Sequence, residues 1–572
     1  MQEALIQSLV TATALEEATI RKLLTKPPQR EHGDLAFPCF PLAKTWKLSP
    51  PECAAKLVAE LELPESIDAA TPTGPYVNFK YNRALLLEKT IPPILRAGAN
   101  VGQQPTNGER VVIEYSAPNI AKTFHVGHLR TTLIGHALVQ IYKHCGYEVV
   151  GINHLGDWGT QFGFVWAGCE LWGKPAEVTV EGLVEIYKRA TGLRKAQDDD
   201  TVAPEDADLP NINQMAKDYF LRLEDGDPEA TAFWQWCLDL SLDYLKLLYT
   251  RLGIEFDHYT GESFYRNMLP DVEQKIRASG ILEDSRGALG VDCGKKLGFA
   301  RIFTEDGRSL YITRDIATAM YRTETFKPLK ILYVVGAQQN LHFNQLVEIL
   351  RLMPHPAADK VHHIPFGFVP GMKTREGGGI SLKEFLDEAT SRALDVYRTE
   401  VSRKPEGLDE DGIAEAVAIG STYFYFLSHS NIKDFQFSWK EALNFQGDSG
   451  PYLQYAVARI NSIQANAKQA GLEIDEAFTT SVLTEDSAHD LTLSLSEFSA
   501  VVEKACTECE PYYIANYLVD VAKGFSRAYR ELQVMNESDT QKAIARLSLF
   551  VAVKHVLATG LRLIGVPLVD RM

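Results

Sequence analysis

The sequence predicts an α/β fold in which a doubly wound parallel sheet is flanked by an N-terminal α+β module and a C-terminal all-α helical bundle. Two strand–helix–strand units in the middle of the chain, and a last third without strand-like alternation, lead to this prediction. The chain has 572 residues, enough for about three to four domains at roughly 150 residues each. With 45% hydrophobic and 23% charged residues, its composition excludes disordered, collagen-like and low-complexity fibrous proteins.

Residues 1–105 are expected to form the N-terminal module. An apolar pattern with helical spacing runs from Leu5 to Leu24, and GPYVNFKYN, which starts at Gly74, predicts a short strand after a Gly-Pro turn. Residues 98–109 are rich in glycine, proline and asparagine and are typical of a linker. The first domain boundary is therefore expected near residue 105.

Residues 106–390 are predicted to contain the sheet. A continuous apolar, β-branched run is typical of a buried parallel strand, and an amphipathic stretch follows it from Val126 to Cys145, where Gly146 ends the helix. A second apolar run comes next, and the same succession returns later in the chain. Two such units imply a Rossmann-type, doubly wound nucleotide-binding sheet. The predicted strands are VVIEYS (111–116), YEVVGIN (147–153), ILYVVG (331–336) and HHIPFG (362–367).

The rest of the chain is predicted to be mainly helical. Residues from about 165 to 300 form a mostly helical insertion, in which the acidic stretch 195–210 is expected to be a solvated loop. Ser381 and Glu384 have the spacing of a capping box at the start of a helix. No strand-like alternation follows, so residues 391–572 are predicted to form a helical bundle.

Charge, hydropathy and cysteine content limit the class of protein. A formal net charge of −17 excludes a uniformly basic nucleic-acid coat but allows local basic patches. The most apolar stretch, 547–569, is interrupted by charged residues, and the N-terminus lacks the basic residues of a signal peptide, so no membrane span or export signal is expected. Eight cysteines predict reduced thiols in a cytoplasmic protein. The single CxxC pair, Cys506 and Cys509, predicts thiols on a helix face rather than a zinc or redox site.

The segment SAPNIAKTFHVGHLR (116–130) lies at the predicted turn between the first strand and its helix. Gly127 allows close approach of the backbone, and His125 and His128 are three residues apart at a helix start, so both point one way. The free N–H groups and the dipole of a helix start favour an anion. With Lys122 just before the histidines, the segment predicts a phosphate cradle. For a single histidine taken alone, packing in the core is the alternative.

The longer string EYSAPNIAKTFHVGHLRTTLIGHAL resembles the signature region of class I aminoacyl-tRNA synthetases, whose His-x-Gly-His motif binds ATP, and within that class the arginyl-tRNA synthetase family. The resemblance covers essentially the whole chain, and it implies an arginine–tRNA ligase that makes arginyl-adenylate from ATP and L-arginine and then transfers arginine to the terminal ribose of tRNA(Arg). The further motifs are NHLGDWGTQFG (153–163), FDHYTGESFY (256–265), DGRSLYITRDIATAMYR (306–322), YVVGAQQNLHFNQL (333–346), GDSGPYLQYAVARI (447–460) and the ending RLIGVPLVDRM.

Recognition of arginine requires acidic side chains. A guanidinium is a planar cation with five donors, so selecting it over lysine requires carboxylates that accept a fork of hydrogen bonds. The resemblance places such groups at Glu114 and Asp315, with Tyr311 as a neutral acceptor. Asp315 could instead pair with Arg314 or Arg322, and Glu114 on an apolar strand is costly unless paired. The implied arginine-binding residues are Glu114, Ser116, Asn119, Tyr311, Asp315 and Gln339, with Gln338 as an alternative to Gln339.

The resemblance divides the ATP site among three segments. GDWGTQ (156–161) follows the second strand, where a nucleoside would lie across the switch point of the sheet. Trp158 within it is expected to pack in the core, and for His342 contact with ATP and a structural role remain equally open. The implied ATP-binding residues are His125, Gly127, His128, His154, Gly156, Asp157, Gln161, His342 and Met372.

GMKTREGGGISLKEFLDEA (371–389) resembles the mobile KMSKS loop of class I enzymes, which places cations on the leaving pyrophosphate. It departs from the pattern because Glu376 stands where a second lysine is expected. Arginyl enzymes commonly degenerate here, and some carry a lysine just before the His-x-Gly-His motif, as this chain does. The implied catalytic residues are His125, His128, Lys122 and Lys373, and the division of the pyrophosphate role between the two lysines is open.

The helical bundle resembles the anticodon-binding domain of the family, and the first 105 residues resemble its tRNA-contacting N-terminal module. In the bundle, Tyr452, Gln454, Tyr455 and Arg459 combine aromatic and cationic side chains suited to stacking on unpaired bases. Tyrosines at that density also pack helix cores, which is the alternative for each of them. An acidic total charge does not contradict an RNA partner, because contacts with phosphate are local.

The sequence therefore predicts an ATP-dependent aminoacyl-tRNA ligase of protein biosynthesis, expected to be a cytoplasmic monomer that binds neither DNA nor membranes. Mg²⁺ is expected to accompany the triphosphate, with no structural metal site. One rival is a nucleotidyl-transferring enzyme acting on a small molecule, which would not need the first 105 residues or the helical domain. Another is a non-catalytic paralogue, which would be expected to lose the signature histidines or the arginine carboxylates. All of these are present.

Overall fold

The computed structural model describes residues 1–120, 122, 124–175, 177–285, 288–304, 310–370, 380–400, 407–475 and 478–572. Its internal contacts divide the chain into two compact units. The first unit comprises Met1–Val101, Arg459–Ser499 and Asp520–Leu557. The second comprises Gly102–Ala458, Ala500–Val519 and Ala558–Met572.

The N-terminal part of the first unit is a small α+β module, as predicted. Its antiparallel sheet has the order β1-β3-β2, and β3 is the strand predicted from GPYVNFKYN. Apolar side chains such as Leu9, Phe37 and Val77 form a buried core between the sheet and the helices. The elements are α1 (Gln2–Thr13), α2 (Glu17–Leu23), β1 (Leu35–Pro38), α3 (Phe40–Trp46), α4 (Pro50–Glu60), β2 (Ile67–Thr73), β3 (Tyr76–Tyr81) and α5 (Arg83–Ala97).

The second unit contains the predicted doubly wound sheet. Its strand order is β11-β10-β4-β5-β6, and every pair is parallel. The chain winds outward from β4 through β5 to β6 and then returns to β10 and β11 on the other side, so the winding reverses between β4 and β10. The strands are β4 (Arg110–Glu114), β5 (Glu148–Asn153), β6 (His258–Tyr259), β10 (Lys330–Gly336) and β11 (Val361–Phe366).

The helices of this region follow the predicted order, and the first of them begins after a 3-10 turn at Val126–His128. Glu114, the last residue of β4, lies opposite Tyr333 on one side and Ile152 on the other, which places it at the switch point. The helices are α6 (Leu129–His144), α7 (Gln161–Trp172), α8 (Val180–Asp198), α9 (Ile212–Glu224), α10 (Pro228–Leu252), α11 (Glu262–Tyr265), α12 (Leu269–Ala278), α13 (Tyr311–Phe326) and α14 (Asn340–Leu352).

The insertion differs from the prediction at its end. It was expected to be mostly helical, and α7 to α12 agree with this, but its last part is a three-stranded antiparallel sheet in the order β7-β8-β9. These strands have only three to five residues, too short for alternation of polar and apolar residues to show in the sequence. They are β7 (Glu283–Ser285), β8 (Ala288–Asp292) and β9 (Phe299–Arg301).

The last part of the chain is a set of helices joined by turns, with no strand among its described residues after β11, as predicted. The capping box forms at the start of α15, where Oγ of Ser381 donates to Glu384 at 2.7 Å. The helices are α15 (Leu382–Glu400), α16 (Glu410–Leu427), α17 (Trp439–Ala442), α18 (Gly450–Gln469), α19 (Asp486–Ser496), α20 (Phe498–Glu508), α21 (Tyr512–Glu531) and α22 (Thr540–Leu563).

Two sequence features of the bundle have a structural explanation. Among the described helices, α22 is long and apolar enough to cross a membrane, but 78% of its apolar window is buried inside the protein, as in a core helix. Cys506 and Cys509 are both buried at the end of α20. Within the described ranges, no group of three or more histidine, cysteine or acidic side chains is placed to hold a metal ion.

Candidate active site

The turn after β4 has an unusual backbone. Ser116 and Ala117 have φ angles of 72° and 47°, the left-handed region that non-glycine residues rarely adopt. The Ser116 side chain is buried, and its Oγ lies 2.7 Å from the hydroxyl of Tyr249 and 2.9 Å from that of Thr132. These bonds hold the turn in place, so the predicted arginine contact at Ser116 would have to come from its backbone.

The two signature histidines lie against each other. Their ring centroids are 4.2 Å apart. Nδ1 of His125 accepts a hydrogen bond from the amide of Gly127 at 3.0 Å, and Nδ1 of His128 accepts one from the amide of His125 at 3.4 Å. A side chain on Gly127 would lie 2.7 Å from the His125 ring, so only glycine fits there.

Both histidines are neutral at neutral pH. Burial, together with the neighbouring His125, lowers the pKa of His128 to about 4, and burial also lowers the pKa of His125. Because each Nδ1 accepts an amide hydrogen bond, each neutral ring carries its proton on Nε2. The pair therefore offers two N–H donors, beside the start of α6, to an anion.

A cavity of about 660 Å³ opens beside this turn and is called here the nucleotide cavity, after the ATP contacts that the resemblance implies at the signature turn. Its walls come from the signature turn, from the end of β10 and from the residues after β11. Among the described residues its lining contains histidine and arginine but no carboxylate, which suits a polyanion. The lining residues are Ser116, Ala117, His125, Val126, Gly127, His128, Arg130, Thr131, Val334, Val335, Gly336, Gln338, Phe366, Gly367, Phe368, Val369 and Pro370.

The carboxylates of Glu114, Glu262 and Asp315 cluster around α13 near the end of β4, and this cluster is called here the acidic pocket. Glu114 is buried and forms an ion pair with Arg322 of α13, whose side chain is 0% exposed. Arg322 also lies over the ring of Tyr333, 5.2 Å from its centroid. This pairing explains how a carboxylate can end an apolar strand, and it makes Glu114 part of the floor of the pocket.

Asp315 pairs with neither arginine that the sequence offered. Its Oδ2 accepts a hydrogen bond from Nε2 of His342 at 2.6 Å. Tyr311 lies one turn earlier on α13, and its ring centroid is 5.4 Å from that of His342. The charge of Asp315, followed by burial and by the charges of Glu114 and Glu262, raises the pKa of Tyr311 above its usual value. The predicted pair on one helix face is therefore present, and His342 belongs to it rather than to the nucleotide cavity.

Glu262, at the start of α11, was missed by the sequence analysis. It forms an ion pair with Arg314 at 2.6 Å, and burial raises its pKa in spite of that positive charge. Its position within FDHYTGESFY was the available signal, but no local pattern showed which residues it faces. With Glu114 and Asp315 it gives the pocket three carboxylates against two guanidinium groups.

Two of the predicted ATP-binding side chains have partners within the protein. Asp157 is 3% exposed and accepts hydrogen bonds from the amide and the hydroxyl of Ser263 at 2.8 and 2.6 Å, so it holds the start of α11. Nδ1 of His154 lies 3.5 Å from Nη2 of Arg322, on the side of the acidic pocket. Both side chains are therefore assigned to the pocket and its support.

Gly156 and Gln161 lie beside the predicted arginine contact Asn119. Gly156 forms a parallel bridge with Asn119, whose Oδ1 would lie 2.3 Å from any side chain on the glycine. Nε2 of Gln161 donates to the carbonyl of Gly156 at 3.1 Å. These three residues form one group at the end of β5, and none belongs to the described lining of the nucleotide cavity.

The remaining predicted residues divide by location. Gln338 lines the nucleotide cavity, and Gln339 is not part of that lining. The ammonium group of Lys122 lies 5.8 Å from the ring centroid of Tyr187 on α8. Met372 and Lys373 lie outside the described residues.

On α18, the predicted RNA-binding residue Gln454 has its partners inside the bundle. Gln454 is 0% exposed, and its amide donates to the carbonyls of Ala416 and Pro567 at 2.9 and 2.8 Å, so it ties helices together. Tyr455 is exposed, and Tyr452 is half-buried. The guanidinium of Arg459 lies over the ring of Tyr529, 3.9 Å from its centroid.

Comparison with known protein families shows which class of enzyme the chain belongs to. The family described as "tRNA synthetases class I (R), catalytic domain" matches residues 90–439. An "Arginyl tRNA synthetase N terminal domain" matches residues 1–81, and a "DALR anticodon binding domain" matches residues 453–572. The fold and the signature turn are therefore those of a class I aminoacyl-tRNA synthetase.

Individual relatives narrow the class to one family. The chain is 37% identical to the arginine–tRNA ligase of Halothermothrix orenii, over 97% of this chain and 96% of that one. It is 38% identical to that of Levilactobacillus brevis, over 98% and 97%. Its structure matches Thermus thermophilus arginyl-tRNA synthetase with a TM-score of 0.82 and 26% identity over the full length of both chains. The chain belongs to the arginyl-tRNA synthetase family.

Proposed function

We propose that this chain, as an arginine–tRNA ligase, binds ATP in the nucleotide cavity beside the signature turn and the arginine guanidinium in the acidic pocket. The observation that carries this assignment is the charge of the two spaces. The nucleotide cavity has no carboxylate in its described lining. The pocket holds Glu114, Glu262 and Asp315 against Arg314 and Arg322, so a negative charge remains for a substrate cation.

The two spaces meet at the switch point, which suits the first step. A carboxylate oxygen of arginine attacks the α-phosphorus of ATP, the bond to the bridging oxygen breaks, and arginyl-adenylate and pyrophosphate form. His125 and His128 donate from Nε2 to phosphate oxygens while negative charge builds on them. Asn119 and a glutamine, Gln338 or Gln339, hold the amino end of the substrate. No protein nucleophile takes part, and positioning supplies the catalysis.

In the second step the 2′-hydroxyl of the terminal ribose of tRNA(Arg) attacks the adenylate carbonyl. The bond from the ribose oxygen to the carbonyl carbon forms, the bond from that carbon to the phosphate oxygen breaks, the hydroxyl proton passes to the departing phosphate, and AMP leaves. Tyr452, Tyr455 and Arg459 are proposed RNA contacts, and residues 1–105 and 391–572 are the proposed tRNA-binding domains around a catalytic domain at 106–390. Tyr455, an exposed aromatic side chain, is the best placed of the three for base stacking.

Mg²⁺ is proposed to be held by the triphosphate and by water. The described lining of the cavity offers histidine and hydroxyl groups but no carboxylate, so the protein supplies no hard oxygen anion to the metal there. Bound Mg²⁺ would neutralise phosphate charge. Lys122 and Lys373 are the proposed cations for pyrophosphate, with their shares undivided. The protein is proposed to act as a cytoplasmic monomer on RNA and not on DNA or membranes, and light scattering after size-exclusion chromatography tests the monomer.

The deciding experiment is exchange of labelled pyrophosphate into ATP with each amino acid in turn, with and without tRNA, followed by aminoacylation of tRNA(Arg). We expect exchange with arginine alone among the amino acids. His125→Ala and His128→Ala should each lower kcat for exchange by roughly 10²- to 10³-fold, the effect of losing one donor to developing charge. The KM for arginine should be kept. A rise in the arginine KM at unchanged kcat would mean that the histidines face arginine instead.

A further inference from the structure

Arg130 makes an unusual set of contacts. It lies in the first turn of α6, two residues after His128, and is 2% exposed. Its two terminal nitrogens donate to five backbone carbonyls and to no carboxylate within hydrogen-bond distance among the described residues. The acceptors are the carbonyls of Gly367 (2.9 Å), Phe368 (3.4 Å), Ser430 (3.0 Å), Asn431 (2.7 Å) and Lys433 (2.8 Å).

These carbonyls belong to two segments. Gly367 and Phe368 are part of residues 366–370, one wall of the nucleotide cavity, called here the cavity wall. The other three lie in residues 428–435, called here the connector, which follows α16. Phe435 of the connector completes the site, because the Arg130 guanidinium lies 4.8 Å from its ring centroid.

The wall and the connector are also bonded directly. The amide of Gly367 donates to the carbonyl of Asn431 at 2.9 Å, and the amide of Phe368 donates to Oδ1 of Asp434 at 2.6 Å. A side chain on Gly367 would lie 2.6 Å from the carbonyl of Ile432, so this close approach requires glycine. The position of the cavity wall therefore depends on the position of the connector.

The connector is held in turn by the chain just after α20. The Glu510 carboxylate accepts from the hydroxyl of Ser430 at 3.0 Å and from the amide of Asn431 at 2.9 Å. The side-chain amide of Asn431 donates to the carbonyl of Cys509 at 2.8 Å. A continuous set of hydrogen bonds thus runs from the chain just after α20, through the connector and Arg130, to the start of α6, directly after the signature histidines.

A purely structural role explains Arg130 poorly. A buried guanidinium without a bonded carboxylate is costly, and burial lowers the pKa of Arg130 to about 10. What the guanidinium adds is geometry, since its planar fork fixes two separate segments relative to the turn of His125 and His128.

We propose that Arg130 is a positioning residue for ATP, which sets the distance between the cavity wall and the signature turn and makes that distance depend on the connector. The proposal rests on the assignment of ATP to the nucleotide cavity. Arg130 acts through the wall and the histidines. Its loss should therefore weaken ATP binding while the acidic pocket, built from α11, α13, α14 and the end of β4, is unaffected.

The test compares Arg130→Lys with the wild-type enzyme. Lysine keeps the charge but donates from a single point, so it cannot hold both segments. The KM for ATP should rise roughly 10- to 100-fold, the penalty of a misplacement of about 1 Å. The KM for arginine should stay within about twofold, since binding interactions in the pocket remain. Calorimetric titration with ATP, without arginine or tRNA, should show a matching rise in Kd, and this readout still decides the proposal if arginine activation fails.

Arg546→Lys is the matched control, because Arg546 is a similarly buried arginine, 7% exposed, in the other unit. It bonds Glu485 and Glu537 at 2.7 Å, and its replacement should lower Tm without moving either KM. If Arg130→Lys does not fold, Asp434→Ala tests the proposal instead, because Asp434 is exposed and its replacement removes one hydrogen bond to the cavity wall. The Kd for ATP should then rise about threefold. An unchanged Kd for ATP in folded Arg130→Lys, or in Asp434→Ala when that variant decides, overturns the proposal.

Discussion

Replacing Asp315 with asparagine removes one charge from the acidic pocket and changes little else. The side chain is 15% exposed, and an asparagine oxygen can still accept the hydrogen bond from His342. A charge pair at about 4 Å with an effective dielectric constant near 20 is worth about 4 kcal/mol. Glu114 and Glu262 remain in place, so we expect a loss of about 2–3 kcal/mol in arginine recognition. This corresponds to a fall of about 30- to 150-fold in kcat/KM for arginine.

The assay is pyrophosphate exchange in the presence of tRNA, with arginine and ATP varied separately. The KM for ATP and the Tm should stay near their wild-type values, because Asp315 lies outside the nucleotide cavity. Asp218→Asn is the control, since Asp218 is an exposed carboxylate on α9 that accepts from Gln214 at 2.7 Å. Wild-type kcat/KM for arginine in Asp315→Asn, or an equal loss in Asp218→Asn, would refute the assignment of the pocket.

Three further outcomes are expected. Glu114→Gln should lower Tm, because it leaves Arg322 buried without its counter-charge at a cost of about 3–5 kcal/mol, and Glu114→Gln/Arg322→Gln should recover part of the loss. Burial lowers the pKa of His136 to about 4. As pH falls below the ordinary pKa of histidine, the unfolded chain therefore takes up a proton before the folded protein does, and the free energy of unfolding should drop by about 2 kcal/mol from pH 7.5 to 5. His136→Gln should reduce this pH dependence in chemical denaturation. Pyrophosphate exchange with arginine should require tRNA, because the degenerate loop has one lysine fewer than KMSKS. Brisk exchange in RNA-free enzyme would contradict this. If tRNA is required, Lys122→Ala should impair exchange at least as much as Lys373→Ala.

The sequence was informative where the signal is local. The apolar runs predicted every strand of the parallel sheet except β6, which has only two residues. The signature turn combines a strand end, a glycine and two histidines within a few residues, so its position in the fold followed directly. The spacing of Tyr311 and Asp315 required only that their segment be helical, as α13 is.

The sequence was less informative where partners are far apart in the chain. Arg322 and Glu114 are separated by 208 positions, and Arg130 and Lys433 by 303. No local pattern shows which of several arginines a carboxylate meets. The same limit applies to Asp157, which has the residue type and position of a ribose ligand. The sequence did not show that its carboxylate accepts a hydrogen bond from the hydroxyl of Ser263.

On the proposed assignment, the ATP and arginine sites are held by different sets of contacts. Arg130 joins the signature turn to the cavity wall and the connector, whereas the acidic pocket is fixed by Arg322 with Glu114 and by His342 with Asp315. In the described part of the chain no hydrogen bond links Asp315 or its partner His342 to the connector. A disturbance of the connector should therefore reach ATP before it reaches arginine. If so, Arg130→Lys and Asp315→Asn act on different substrates, and their free-energy effects on kcat/KM should add within about 0.5 kcal/mol in the double variant. A larger coupling would mean that the wall and the pocket move together, and the separation of the two sites would have to be abandoned.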